Sequence, residues 1–196
     1  MLVDVSVDCY YDGRNFIETF IYVMSRCIFQ LETLKLVLTQ CPNSIKENDE
    51  LCNFPQMPKL KKLFVEYGTF DDGILVTMAY FTRASPYLQE FVLENKLQNP
   101  LLKIKPVIGV VANVRFQHEH IKVFKLCGYR GRPIDDAVLG FVLENFVVLE
   151  KIIIDPSGVN YCFDKNRRLK LENAARDVAK QHLQPQLPHR VELVIL

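Results

Sequence analysis

The stretch Leu60-Lys61-Lys62-Leu63-Phe64-Val65 has apolar residues at its first, fourth and sixth positions. The same six-residue pattern, here called the hexad, recurs at residues 2–7, 31–36, 88–93, 121–126, 149–154 and 191–196. Four of the six intervals between successive starts are 28 or 29 residues. Because 49% of the residues are hydrophobic, one hexad carries no information, but recurrence at a near-constant interval is hard to obtain by chance. The period lies in the leucine-rich-repeat range of roughly 20–29 residues.

Apolar residues at helical spacing lie between the hexads and predict one helix per repeat. The stripes fall at residues 16–28, 74–81, 134–146 and 171–182. We expect Asp71 or Asp72 to cap the second helix and Pro133 to open the third, since these residue types favour helix starts. The last helical pattern carries Leu171, Ala174, Ala175, Val178, Ala179 and His182.

Alternating strands and helices at this interval predict parallel strands joined by right-handed crossovers. We therefore predict an α/β fold, with residues 1–196 forming a single leucine-rich-repeat solenoid. Strands would line its concave face and helices its convex face. A compact doubly wound α/β domain is the alternative. The recurring hexad and the absence of a glycine-rich strand-to-helix turn favour the solenoid. Two segments, 94–117 and 155–168, interrupt the period, and residues 41–50 form a predicted surface loop.

Composition argues against several classes of function. The formal net charge of +1 produces no field that would attract nucleic acid or an anionic membrane. Apolar runs such as residues 107–112 are far shorter than the ~20 residues of a membrane-spanning helix. The first residues lack the basic and apolar segments of a signal peptide. We expect a cytoplasmic or nuclear protein whose six cysteines are mostly buried and not disulfide-bonded.

Few residues suggest chemistry. His118 and His120 flank Glu119 and could share a metal ion, but no further ligand is near in sequence, so a surface loop is the favoured interpretation. Cys127 lacks a marked base or oxyanion pocket, and we expect it to be buried or on the concave face. The basic stretches 130–132 and 165–168 are interpreted as solvated loops. The sequence therefore predicts no enzyme activity, no cofactor and no metal.

The hexad residues that alternate with the buried pair should point to the opposite, concave face. Along the middle of that face, the repeats present an apolar stripe interrupted by lysines, which suits a protein interface. The alternative is that loops or another chain cover this row. The candidate protein-binding residues are Lys35, Lys62, Phe64, Glu66, Glu90, Val92, Glu94, Lys125, Cys127, Lys151, Ile153 and Asp155.

A family resemblance rests on the order Leu143-Glu144-Asn145, then Leu149-Glu150-Lys151, then Asp155-Pro156, together with residues 120–131. With the helical stretch 174–182, Leu187-Pro188 and the ending 191–196, these residues are similar to the leucine-rich-repeat and FBD-type C-terminal region of plant F-box proteins, including those called meiotic F-box-like. The resemblance covers roughly residues 80–196, with the FBD-like portion at about 115–196.

The resemblance implies a non-catalytic, substrate-recognition region of an F-box-type ubiquitin ligase subunit, with a protein partner. In that family an F-box recruits a Skp-type adaptor and a cullin. The sequence has no F-box-like stretch ahead of the first hexad, so we expect adaptor binding only if an F-box exists outside this chain. The alternative is a truncated, repeat-only protein or fragment with no ligase role.

Overall fold

One parallel β-sheet organises the chain. The computed structural model describes residues 4–9, 24, 27–38, 55–68, 73–95, 116–157 and 164–196. Seven strands pair in chain order, and all six pairings are parallel. The strands are β1 (Asp4–Cys9), β2 (Thr33–Leu38), β3 (Lys62–Tyr67), β4 (Glu90–Asn95), β5 (Val123–Cys127), β6 (Lys151–Asp155) and β7 (Glu192–Ile195). The sheet is open, because β1 and β7 lie at opposite edges.

Three α-helices connect strands within the described ranges: α1 (Gly73–Ala84), α2 (Pro133–Asn145) and α3 (Lys165–His182). The predicted α/β class and sequential parallel strands are confirmed. The doubly wound alternative is wrong, because its strand order reverses at a switch point whereas this order does not. None of the helices in these ranges combines the length and apolar content required to cross a bilayer.

The strands pair without lateral offset, so equivalent hexad positions form rows across the sheet. The fourth hexad positions of β2 to β6 are fully buried, and the sixth positions are at most 1% exposed. These two rows join the helices in one hydrophobic core and consist of Leu34, Leu63, Phe91, Phe124 and Ile152, and of Leu36, Val65, Leu93, Leu126 and Ile154. Since each row repeats one hexad position, the core that the spacing predicts in β2 to β6 is confirmed.

The register of β7 differs from the prediction by one residue. Leu193 pairs with Ile152, and Ile195 pairs with Ile154, so these two residues face the core. The sequence pattern instead assigned Val194 to the core, yet Val194 pairs with Ile153 on the opposite face. Residues 193–196 are all apolar, and a strand without alternation does not specify which face is buried.

The helical predictions hold best for α1 and α2. Both stripes are buried, and Pro133 is the first residue of α2. In α3 only Ala175 and Ala179 of the predicted stripe are fully buried. Leu171 is 46% exposed, and Ala174 and His182 are also exposed, so the buried face of α3 is narrower than the stripe in the sequence.

The second basic stretch, residues 165–168, was interpreted as a loop, but it forms the first turn of α3. Asp164 caps this helix by accepting a hydrogen bond from the backbone N–H of Asn166 at 2.9 Å. Several expectations lie outside the described residues: most of the helix at 16–28, the cap at Asp71 or Asp72, the loop at 41–50 and most of the segment 94–117. Met24 and Ile28 from the first of these are buried in the core.

The turn from β5 into α2 is specified by a buried carboxylate. The Asp135 side chain is fully buried and accepts hydrogen bonds from the backbone N–H groups of Arg130 and Arg132 at 3.0 and 2.9 Å. Arg132 also donates from Nη2 to the second carboxylate oxygen at 2.9 Å. Gly128 and Gly131 in this turn have φ of 79° and 70°, a region that favours glycine. The carboxylate thus holds both the turn and the start of α2.

Candidate protein-binding face

The face of the sheet that does not pack on the helices carries all twelve predicted binding residues. We call it the open face and divide it into three rows by strand register. The amino-end row contains Thr33, Lys62, Glu90, Val123, Lys151 and Glu192; the middle row contains Lys35, Phe64, Val92, Lys125, Ile153 and Val194; the carboxyl-end row contains Val37, Glu66, Glu94, Cys127 and Asp155. Their binding role remains a prediction.

The middle row forms the predicted apolar stripe. Phe64 and Ile153 are half-exposed. Val194 extends the stripe by one strand, and the sequence pattern missed it because of the one-residue slip in β7. Val92 and Cys127 are 5% and 9% exposed, so they underlie the surface and offer little area to a partner. Within the middle row, the accessible apolar area therefore comes mainly from Phe64, Ile153 and Val194.

Lysines of the middle row lean toward acids of the carboxyl-end row. Lys35 Nζ lies 3.7 Å from a carboxylate oxygen of Glu66 and 4.9 Å from the centroid of the Phe64 ring. Lys125 Nζ lies 3.1 Å from Asp155 Oδ2. These pairs neutralise the lysines that interrupt the stripe, so the apolar residues between them are not isolated by uncompensated positive charge.

Ion pairs also link neighbouring strands in the amino-end row. Lys62 and Glu90 are 2.9 Å apart, and Lys151 and Glu192 are also 2.9 Å apart. The four side chains are 36–60% exposed, and such pairs contribute at most about 1 kcal/mol each to stability. Their main effect is to hold long side chains along the edge of the stripe.

The carboxyl-end row has a partly buried electrostatic cluster at Cys127 and Asp155. Burial raises the pKa of Asp155, but hydrogen bonds from Ser157 and Lys125 outweigh burial, so the pKa is lowered overall. Burial raises the pKa of the Cys127 thiol to about 11, although the Lys125 charge opposes the increase. A thiol in this state is rarely deprotonated near neutral pH and is a weak nucleophile.

His118, a metal candidate from the sequence, has a structural environment. It is 4% exposed, so the surface-loop interpretation is wrong for this residue, although Glu119 and His120 are exposed. Its Nε2 lies 3.0 Å from the Ser85 carbonyl oxygen, and its Nδ1 accepts a hydrogen bond from the backbone N–H of Ile121 at 3.2 Å. Both ring nitrogens are occupied. No group of three or more metal-ligand side chains occurs in the part of the chain that the structure describes.

Comparisons of the chain with family models, with curated proteins and with solved structures found no match.

Proposed function

We propose that this chain is a leucine-rich-repeat solenoid that binds another protein through the open face of its sheet. The observation that carries the proposal is the middle row, in which Phe64 on β3 and the adjacent Ile153 and Val194 on β6 and β7 remain accessible while Lys35 and Lys125 are ion-paired. Exposed apolar residues that adjoin one another across strands favour a protein interface. Solenoids commonly use such an extended strand face for binding.

The proposed biological role is substrate recognition in an F-box-type ubiquitin ligase. Support comes from the resemblance of residues 80–196 to the repeat and FBD-type region of plant F-box proteins. The sequential parallel sheet is compatible with that region, because each repeat contributes one strand beside its predecessor. In this role the open face would hold the protein to be ubiquitinated, and a Skp-type adaptor would bind only through an F-box outside this chain. We propose no catalytic role and no cofactor.

The test compares the unmodified chain with a double variant, Phe64→Asp with Ile153→Asp, as bait in a plant-cell extract. Quantitative mass spectrometry measures which proteins co-purify with each bait. A partner of the open face should be lost with this variant, because two buried carboxylates would oppose docking. Circular dichroism verifies that the variant remains folded.

The matched control is Leu169→Asp with Leu171→Asp on α3, where the leucines are 53% and 46% exposed and lie outside the open face. This control should retain the partner. Co-purification that survives the open-face substitutions but not the α3 substitutions would place the interface elsewhere. If no protein distinguishes the two variants, the alternative of a repeat-only protein with no ligase role is favoured.

A further inference from the structure

Glu94 occupies the centre of the open face. It lies on β4, the fourth of the seven strands, and its register neighbours are Glu66 on β3 and Cys127 on β5. Val92 precedes it by two residues on the same face and adjoins Phe64 in the middle row. The half-buried Glu94 carboxylate therefore borders the apolar stripe at its midpoint.

On strands β2 to β7, the ion pairs of the open face involve four of its five acids. Its four lysines pair with Glu66, Glu90, Asp155 and Glu192. Among the open-face residues of β2 to β7, Glu94 is the acid for which no ion pair occurs. Adjacent parallel strands are about 4.8 Å apart, so Glu66 and Glu94 are neighbouring like charges. Like charges in register neighbours destabilise a sheet.

From this charge pattern we propose that the partner presents an arginine to Glu94 and Glu66, with apolar residues beside that arginine packed on Phe64. The inference rests on the proposed function and specifies the chemistry of the protein segment that is bound. A guanidinium group suits the site because its planar, multiple N–H donors can contact two carboxylates at once and can stack on an aromatic ring.

A site of this kind lowers the stability of the free chain, because the like charges that attract the partner also repel each other. The variant Glu94→Gln removes the repulsion with Glu66, so the free chain should melt about 1–3 °C higher than the unmodified chain. The same variant should bind the partner segment more weakly. A purely structural role for Glu94 predicts the reverse in the free chain, namely a lower melting temperature, so the two roles are distinguishable without a ligand.

The binding test uses an array of immobilised twelve-residue peptides in which arginine, glutamine or glutamate occupies one fixed position among apolar and neutral residues. The strongest arginine peptide is then titrated in solution by fluorescence anisotropy. The unmodified chain should prefer arginine over glutamate. Glu94→Gln should weaken binding of the arginine peptide by roughly tenfold or more, the effect of losing one charge-assisted hydrogen bond. Glu94→Arg should reverse the preference toward the glutamate peptide.

The matched control is Glu144→Gln, which removes an exposed acid from α2, outside the open face, and should change the affinity by less than about twofold. If Glu94→Gln binds the arginine peptide as tightly as the unmodified chain, while Phe64→Asp with Ile153→Asp abolishes binding, the arginine inference is overturned and the proposed function stands. If no peptide binds, or binding survives the Phe64 and Ile153 substitutions, the open face is not the docking surface and both are overturned.

Discussion

The imidazole of His118 connects two turns that are 33 residues apart through its 3.0 Å contact with the carbonyl oxygen of Ser85. Ser85 lies between α1 and β4, and His118 precedes β5. Because Nδ1 accepts hydrogen bonds from the backbone N–H groups of His120 and Ile121, the ring is neutral, with its proton on Nε2 donated to Ser85. The contact therefore links the starts of β4 and β5.

This neutral ring predicts an acid-sensitive step in stability. Burial lowers the pKa of His118 below its ordinary value of 6.5. As the pH falls below 6.5, the unfolded chain binds a proton that the folded ring does not, so the free energy of unfolding decreases until the pH reaches the lowered pKa. Urea denaturation at pH 7.5 and 5.5 should show a decrease of at most about 1.4 kcal/mol per pH unit from this group. His118→Asn should be less stable at pH 7.5 and lose this part of the slope.

His189 provides the control, because it is exposed. His189→Gln should leave the difference between pH 7.5 and 5.5 unchanged. An equal reduction in both variants would mean that the slope arises from other groups and that the His118 assignment is wrong.

Substitution by alanine should change the stability in opposite directions at two of the glycines. A Cβ at Gly128 would lie 2.6 Å from the Asn95 carbonyl oxygen, and the φ of 79° is strained for alanine, so Gly128→Ala should destabilise the fold by about 1–3 kcal/mol. Gly140 is inside α2, and its added Cβ would meet nothing within 4 Å. It lines a cavity of about 80 Å³ between α2 and β7, and Gly140→Ala should stabilise the chain by about 0.5–1 kcal/mol through helix propensity. Thermal denaturation of the two variants measures the direction of each change. A change in the same direction in both variants would contradict the prediction.

The thiol of Cys127 should be slow to react. With its pKa raised from 9.0 to about 11, the thiolate fraction near neutral pH is roughly 100-fold lower than in an unfolded chain. The rate of modification by a disulfide reagent, assigned to Cys127 by comparison with Cys127→Ser, should rise by about that factor in urea. Lys125→Met should slow the folded-state reaction further, since Lys125 opposes the increase in the pKa. A folded-state rate equal to the rate in urea would mean that the thiol is accessible and ionised.

The buried Asp135 carboxylate should be among the most costly side chains to remove. Asp135→Ala eliminates the acceptor for two backbone N–H groups and leaves the Arg132 guanidinium without its carboxylate. Leaving a buried backbone N–H without its acceptor costs about 1–3 kcal/mol, so the loss of both bonds should cost about 2–5 kcal/mol. Urea denaturation should show this loss, whereas Asp177→Ala on the exposed surface of α3 should change stability by less than about 0.5 kcal/mol. Similar values for the two variants would contradict a structural role for Asp135.

Much of the sheet could be predicted because its period is simple. Leu63 and Val65 are two residues apart, so they face the same side of a strand wherever that strand lies, and the equivalent pair recurs in each repeat. The same alternation placed Phe64 and Ile153 on the open face. The prediction failed where alternation stops, at Val194, because four consecutive apolar residues allow either face to be buried.

Contacts between distant residues could not be predicted in the same way. The sequence marks His118 as a member of a His-Glu-His motif, but nothing local shows that its ring reaches the Ser85 carbonyl. The ion pairs of the open face also depend on lateral strand register. Lys35 pairs with Glu66, although its own register partner is Phe64. The arrangement of positive and negative charges around Glu94 could therefore be recognised only once the lateral register of the strands was known.

Because the strands pair in register, each strand together with its connection to the next strand forms a unit that can be removed or duplicated as a whole. Residues 62–89 comprise β3, α1 and the turn before β4, and their removal would place β4 directly beside β2. Thr33 would then lie opposite Glu90, and every remaining side chain would keep its original face. Duplication or loss of a whole unit thus changes the width of the surface while preserving its orientation. A single-residue insertion within a strand would instead move the side chains that follow it to the opposite face of the sheet. This architecture should therefore tolerate the gain or loss of a whole unit better than a single-residue insertion.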